Sequence, residues 1–224
     1  MGTRHLTAIY INGEYKVAQY GQWDGYPEGQ GMTCLNFARR IADKIEREKF
    51  AAKVRAAQWI TEAEVDEINE RITRESITNW QELYPALTRD TGSEILNVIM
   101  NAPDGIKLDN QIEFAAESLF CEWAWVIDLD AGTFEGFKGF NTERELTPED
   151  RFYFLRDKED KSPATSGDVY HCVILKAKWS LDALPTDEDF LAAFKEPEEL
   201  PDYGTQVLSL ATKIANVETK VLNE

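Results

Sequence analysis

Leu6–Ile11 is an apolar, β-rich run, Glu14–Tyr20 is a second β-rich run in which polar and apolar residues interleave, and Asn12-Gly13 lies between them. β-Branched and aromatic residues in both runs predict two strands, and Asn-Gly predicts a two-residue type I′ turn because both turn positions need positive φ. If Ile11 pairs with Glu14, the register sets His5 across from Tyr20 and Arg4 across from Gly21. Both residues then stand at the mouth of the segment that follows.

After Gly31 the apolar period becomes helical. Cys34, Leu35, Ala38, Ile41, Ala42 and Ile45 fall on one stripe, and Phe50–Ala57 continues in helical spacing. Thr61-Glu-Ala-Glu64 is a capping box that opens a helix reaching about Ile72. Asn79–Leu87 and Ser93–Met100 predict shorter helices, Ala102-Pro-Asp-Gly105 a turn, and Ile112–Ser118 a turn or two of helix. Alternation then returns. Cys121–Asp130 places Trp123, Trp125, Ile127 and Leu129 on one face, Asp130-Ala-Gly132 turns the chain, and Thr133–Phe140 comes back with Phe134 and Phe137 on opposite faces. Asn141–Gly167 reads as a polar loop around a short Pro148–Arg156 helix, and Tyr170–Trp179 as a fifth strand. Thr186-Asp-Glu-Asp189 caps a helix burying Phe190, Leu191 and Phe194.

Strands towards both ends with helices between them predict an α+β fold. The expected sheet is antiparallel, of about five strands, built from the first hairpin, the second hairpin and the last strand. Residues 1–195 are expected to form one domain with a helical insertion at about 32–118. Residues 196–224 read as an acidic linker and an amphipathic helix. Its stripe of Val207, Leu210, Ile214, Val217 and Val221 predicts packing on the same domain or a homodimer through that helix.

Composition narrows the function classes. With 43% hydrophobic residues and six tryptophans the chain can fill a core, which excludes global disorder. The apolar runs, such as Ala124–Ile127, are far too short to span a bilayer, and no basic segment leads into an apolar one as a secretion signal would. Three cysteines without paired spacing fit a reducing compartment, so the expected location is cytoplasmic. Against 24 basic residues stand 41 acidic ones, a net charge of −17. That field repels phosphate backbones, so no direct nucleic-acid or membrane partner is expected. It serves as a solvated acidic surface or as a docking face for a protein with a basic surface, including one whose own ligand is nucleic acid.

The densest chemistry lies in Tyr20-Gly-Gln-Trp-Asp-Gly-Tyr-Pro-Glu-Gly-Gln-Gly31, where four glycines, a proline and three aromatics share twelve positions. Glycines at 25, 29 and 31 permit positive φ and let backbone amides converge, and a helix starting near Met32 offers a partial positive charge. Arg4, His5, Tyr20, Trp23, Asp24 and Tyr26 are therefore the candidate ligand- or partner-binding residues. A small anion is one ligand that would suit them, and Asp24 with His5 and Arg4 is the best acid–base trio. The competing interpretation is a structured turn whose aromatics cap the core. The glycine spacing matches neither the dinucleotide fingerprint nor the phosphate-binding P-loop, so no cofactor is expected. Two histidines without CxxC or HExxH leave no metal site. Asp128 and Asp130, on one face of a strand end, are the nearest approach to a hard-cation site. Cys34 early in a helix is the one nucleophile candidate, set against a buried inert thiol.

Gly2-Thr-Arg4, Gly13-Glu-Tyr-Lys-Val-Ala-Gln-Tyr-Gly-Gln-Trp-Asp-Gly-Tyr-Pro27 and Gly29-Gln-Gly31 resemble a family of uncharacterised proteins from phage, prophage and bacterial genomes. Phe120-Cys-Glu-Trp-Ala-Trp-Val-Ile-Asp-Leu-Asp130 with Gly139-Phe-Asn141 belongs to the same pattern, and the resemblance extends to about Phe194. It implies no catalytic residue. It implies a mobile-element setting and an accessory role, in which small acidic proteins bind a host protein such as a component of a defence system.

Overall fold

The computed structural model describes residues 2–159, 164 and 167–195. The expected linker and helix over 196–224 lie outside the described residues, as does part of the polar loop. The fold is α+β. Its main sheet has five strands, in the spatial order Glu14–Gly21, His5–Ile11, Trp123–Asp128, Thr133–Lys138 and Ile174–Ser180. They are β1 (His5–Ile11), β2 (Glu14–Gly21), β5 (Trp123–Asp128), β6 (Thr133–Lys138) and β7 (Ile174–Ser180). All neighbours are antiparallel except β1 and β5, which run parallel. A small parallel pair, β3 (Gln58–Trp59) with β4 (Lys107–Leu108), was not signalled by alternation because two residues carry no period.

The helices are α1 (Met32–Arg40), α2 (Lys44–Ala56), α3 (Glu62–Glu75), α4 (Trp80–Leu83), α5 (Ile95–Asn101) and α6 (Asp187–Ala192). The single stripe expected from Cys34 to Ile45 is broken after Arg40. The Asp43 carboxylate accepts the amides of Ile45 and Glu46 at 2.9 and 3.0 Å, which starts a new helix there. The capping box at Thr61 and Glu64 forms as expected, with both reciprocal bonds made.

Both faces of the sheet are covered. One face packs Ile9, Trp125, Ile127 and Phe134 against Leu35, Phe37, Phe50, Ile99 and Phe190 of the helices. The other packs Leu6, Ala124, Val126 and Phe137 against Ala115, Leu146, Phe152 and Leu155, from segments with no α-helix. A central strand with two apolar faces loses its alternation, which is why β5 is buried at Ala124, Trp125, Val126, Ile127 and Asp128 in succession.

The first hairpin turns at Asn12-Gly13 with φ of 56° and 79°, as a type I′ turn requires. Ile11 faces Glu14 and Tyr10 faces Tyr15, but the register then slips, so that Ile9 faces Val17. Lys16 is the extra residue of a β-bulge. One residue of slip moves the far end of the hairpin, and His5 lies opposite Gly21 rather than Tyr20.

Candidate functional site

The glycine-rich loop leaves β2 at Gly21 and enters α1 through a π-helical turn, Pro27–Gly31. It is fixed at many points. Gln22 N donates to Arg89 O at 3.0 Å, Gly25 N to Thr3 O at 2.9 Å, and the buried Trp125 indole to Gly25 O at 3.0 Å. Gln30 Oε1 accepts the Ser93 amide at 2.9 Å.

None of Gly25, Gly29 and Gly31 uses the positive φ open to it; within the loop that conformation falls to Asp24, at 54°. Close approach explains the glycines instead. A Cβ on Gly29 would lie 2.2 Å from Asp24 O, and one on Gly31 would lie 2.7 Å from the Trp125 ring. The expected convergence of free amides is also absent here. Gly29 and Gly31 donate to Tyr26 O, Gln30 donates to Asp24 O, and Met32 N is directed at the carbonyls of Pro27 and Gly29. The preceding turn thus consumes donors that an anion would need.

Around this loop the six candidate residues divide into an inner and an outer group. His5 is fully buried, its two ring nitrogens have no hydrogen-bond partner, and burial lowers its pKa to about 3. A neutral, sealed imidazole of that kind exchanges no proton with a ligand outside. Arg4 sets its guanidinium 4.7 Å from the Phe120 ring centroid and makes no ion pair with any described residue; its backbone amide donates to Glu122 Oε1 at 3.2 Å. Tyr20 packs edge-on against Phe114 and donates to Gln22 Oε1 at 2.6 Å, and burial raises its pKa. The outer group is accessible. Trp23 is 49% exposed, with its indole donating to Asp90 Oδ1 at 3.0 Å. Tyr26 is 39% exposed and donates to Asp24 Oδ1 at 3.3 Å; the charge on Asp24 raises its pKa.

Cys34 is buried in the core on α1, with Thr7 Oγ1 4.0 Å from its sulfur and Ser93 Oγ 2.8 Å from that hydroxyl. Burial pushes the thiol up to about 12, which makes it an inert core residue. Asp128 and Asp130 do not converge on a cation. Asp128 Oδ1 caps the amides of Asp130 and Ala131 at 3.0 and 2.7 Å. Asp130 accepts the amides of Asn12 and Gly13 at 2.9 and 2.8 Å, tying the second hairpin to the turn of the first. Among the described residues no cluster of metal-ligating side chains occurs.

A second site, not anticipated from the sequence, lies on the other side of that turn. It is a cleft of about 690 Å³ lined by residues that include Tyr10, Tyr15, Asp128, Glu135, Arg151 and Phe154. Arg151 donates to both oxygens of Glu135, at 2.5 and 2.9 Å, and to Asp128 Oδ2 at 2.5 Å. Lys178 adds an ion pair to Glu135 at 3.0 Å. Burial alone would raise the Glu135 carboxyl, but Arg151 outweighs it and holds the group below its ordinary value. The one sequence signal was an acid in the middle of the apolar run Phe134-Glu-Gly-Phe137; its partner, 16 residues further on, had no signature.

Compared with known proteins, the chain matches no protein family, no curated protein and no solved structure. No helix among the described residues is long and apolar enough to cross a membrane.

Proposed function

We propose that this chain is an acidic accessory protein that attaches to a basic surface on a host protein and inhibits or modulates it. The observation that carries the reading is the fate of the cations. Arg39, Arg47, Lys53, Arg55, Arg144 and Arg151 are each paired with a carboxylate of the chain itself. These cations are spoken for within the chain, which as a whole keeps a net charge of −17. A surface of that sign speeds encounter with a cationic partner and suppresses wrong ones. The resemblance to proteins of mobile elements supports a host protein as the target, and a nucleic-acid-binding defence component has the complementary charge. The test is a pull-down from host lysate with a salt titration. A partner retained at low salt and released as salt rises supports the proposal; no retention at about 50 mM salt, where screening is still weak, rejects it.

A second reading is favoured by the outer part of the glycine-rich loop. Trp23 and Tyr26 stay half-exposed on a backbone otherwise pinned, and Arg4 has no carboxylate partner among the described residues. An enzyme or a protein that sequesters a small molecule would use these residues. It requires Trp23→Ala to abolish function while the fold survives, and it fails if function persists.

A further inference from the structure

We infer that the cleft beside the first hairpin turn is the seat for an arginine side chain of the basic partner. This rests on the proposed docking to a basic surface. The cleft's volume, about 690 Å³, is ample for one long side chain. Its walls are aromatic: Tyr10 and Tyr15 meet edge to face at 5.1 Å, and Phe154, which is 51% exposed, stands 5.8 Å from Tyr15. Such walls hold an aliphatic stem and attract a cation over their faces.

The charge of the lining selects the sign of the guest. Glu14, Asp128, Glu135, Glu149 and Asp150 face the cleft against only Arg151 and Lys178. Asp128 and Glu135 are held by Arg151, Asp150 by Arg144 and Glu14 by Lys16, whereas Glu149 makes no ion pair with any described residue. An anion entering here would meet a surplus of carboxylates. A cation would meet the unpaired Glu149 at the rim.

The geometry favours guanidinium over ammonium. The cleft already accommodates one guanidinium: Arg151 is forked onto Glu135 and lies 5.4 Å from the centroid of Tyr10. A planar group with five donors can fork onto a carboxylate while stacking on a ring, which a compact ammonium cannot.

The probe is a short glycine peptide carrying one arginine, with the neutral citrulline peptide as its control, followed by NMR at low salt. The arginine peptide is expected to shift the ring signals of Tyr10, Tyr15 and Phe154, and the citrulline peptide to leave them in place. Glu149→Lys and Phe154→Ala alter exposed side chains, so melting temperatures should hold while affinity falls about tenfold. Trp23→Ala should leave binding unchanged. Equal shifts from both peptides, or unchanged affinity in both cleft variants, overturns the inference. In the pull-down, a partner retained equally by wild type and Glu149→Lys also overturns it but leaves the basic-partner reading standing. No partner retained by wild type rejects that reading instead.

Discussion

The His5 imidazole occupies the space that a side chain at position 21 would need: a Cβ on Gly21 would lie 2.0 Å from His5 Cε1. The β-bulge at Lys16 creates this relationship by setting the two residues opposite each other. Gly21→Ala is therefore expected to overpack a sealed site and cost about 1–3 kcal/mol. Urea unfolding measures it. A double variant with His5→Ala should lose less than the sum of the two single changes, because removal of the ring relieves the clash.

His5 also makes stability depend on pH. Burial lowers its pKa from 6.5 to about 3, so the unfolded chain takes up a proton in a range where the folded chain refuses it. The stabilisation is complete above pH 6.5 and declines as pH falls from there towards 3. Between about pH 6.5 and 4.5 the loss should reach about 2–3 kcal/mol, in a window above most carboxylate titrations. Unfolding free energies of wild type and His5→Gln across that window test this, and parallel slopes would refute it.

Arg151 neutralises two carboxylates that are almost completely shielded from solvent, Glu135 and Asp128, at 2% and 5% exposure. Arg151→Met leaves them with Lys178 on Glu135 alone and is expected to cost about 3–5 kcal/mol. The acid profile should change in a defined direction. In wild type the depressed Glu135 carboxyl contributes stability above its unfolded pKa that is lost as pH falls through the folded one. Without Arg151 the carboxyl rises, so the variant should be hurt less by acidification than wild type. A variant with an unchanged acid profile would contradict this account.

Asp130 joins two hairpins through the amides of Asn12 and Gly13. Asp130→Ala should cost about 1 kcal/mol, since the bonds are solvent-exposed, while Asp130→Asn keeps an acceptor and should cost less. Faster hydrogen exchange at those two amides in the alanine variant is the direct readout.

Local chemistry was legible in the sequence. Asn12-Gly13 gave the first turn, Thr61 with Glu64 the start of α3, and Thr186 the cap of α6, because each depends on a few adjacent residues. The α+β class followed from where the two periodicities fell. What depends on how separate segments pair was not legible: the bulge at Lys16, the parallel pairing of β1 with β5, and the joining of Arg151 to Glu135. The cap at Asp43 did carry a signal, an acid three residues before Glu46, but it was absorbed into the polar face of an apparently continuous stripe. At the glycine-rich loop the composition marked the segment that enters α1 through a π-helical turn. Its glycines serve close packing against Asp24 and Trp125 rather than positive φ, a distinction that only the surroundings decide.

The parallel pairing of β1 with β5 has a consequence in time. Asn12 and Asp130, which meet across that region, are 118 residues apart in the chain. At synthesis rates of about 5–20 residues per second, the first hairpin waits roughly 6–24 s for the strand that covers its open edge. Throughout that interval Leu6, Ala8 and Ile9 have backbone groups and apolar side chains without their final neighbours. A fragment ending at residue 118 should leave residues 5–21 open to protease, and one ending at residue 195 should protect them. Residues 5–11, interior in the finished sheet, are thus open to mispairing while the chain is being made.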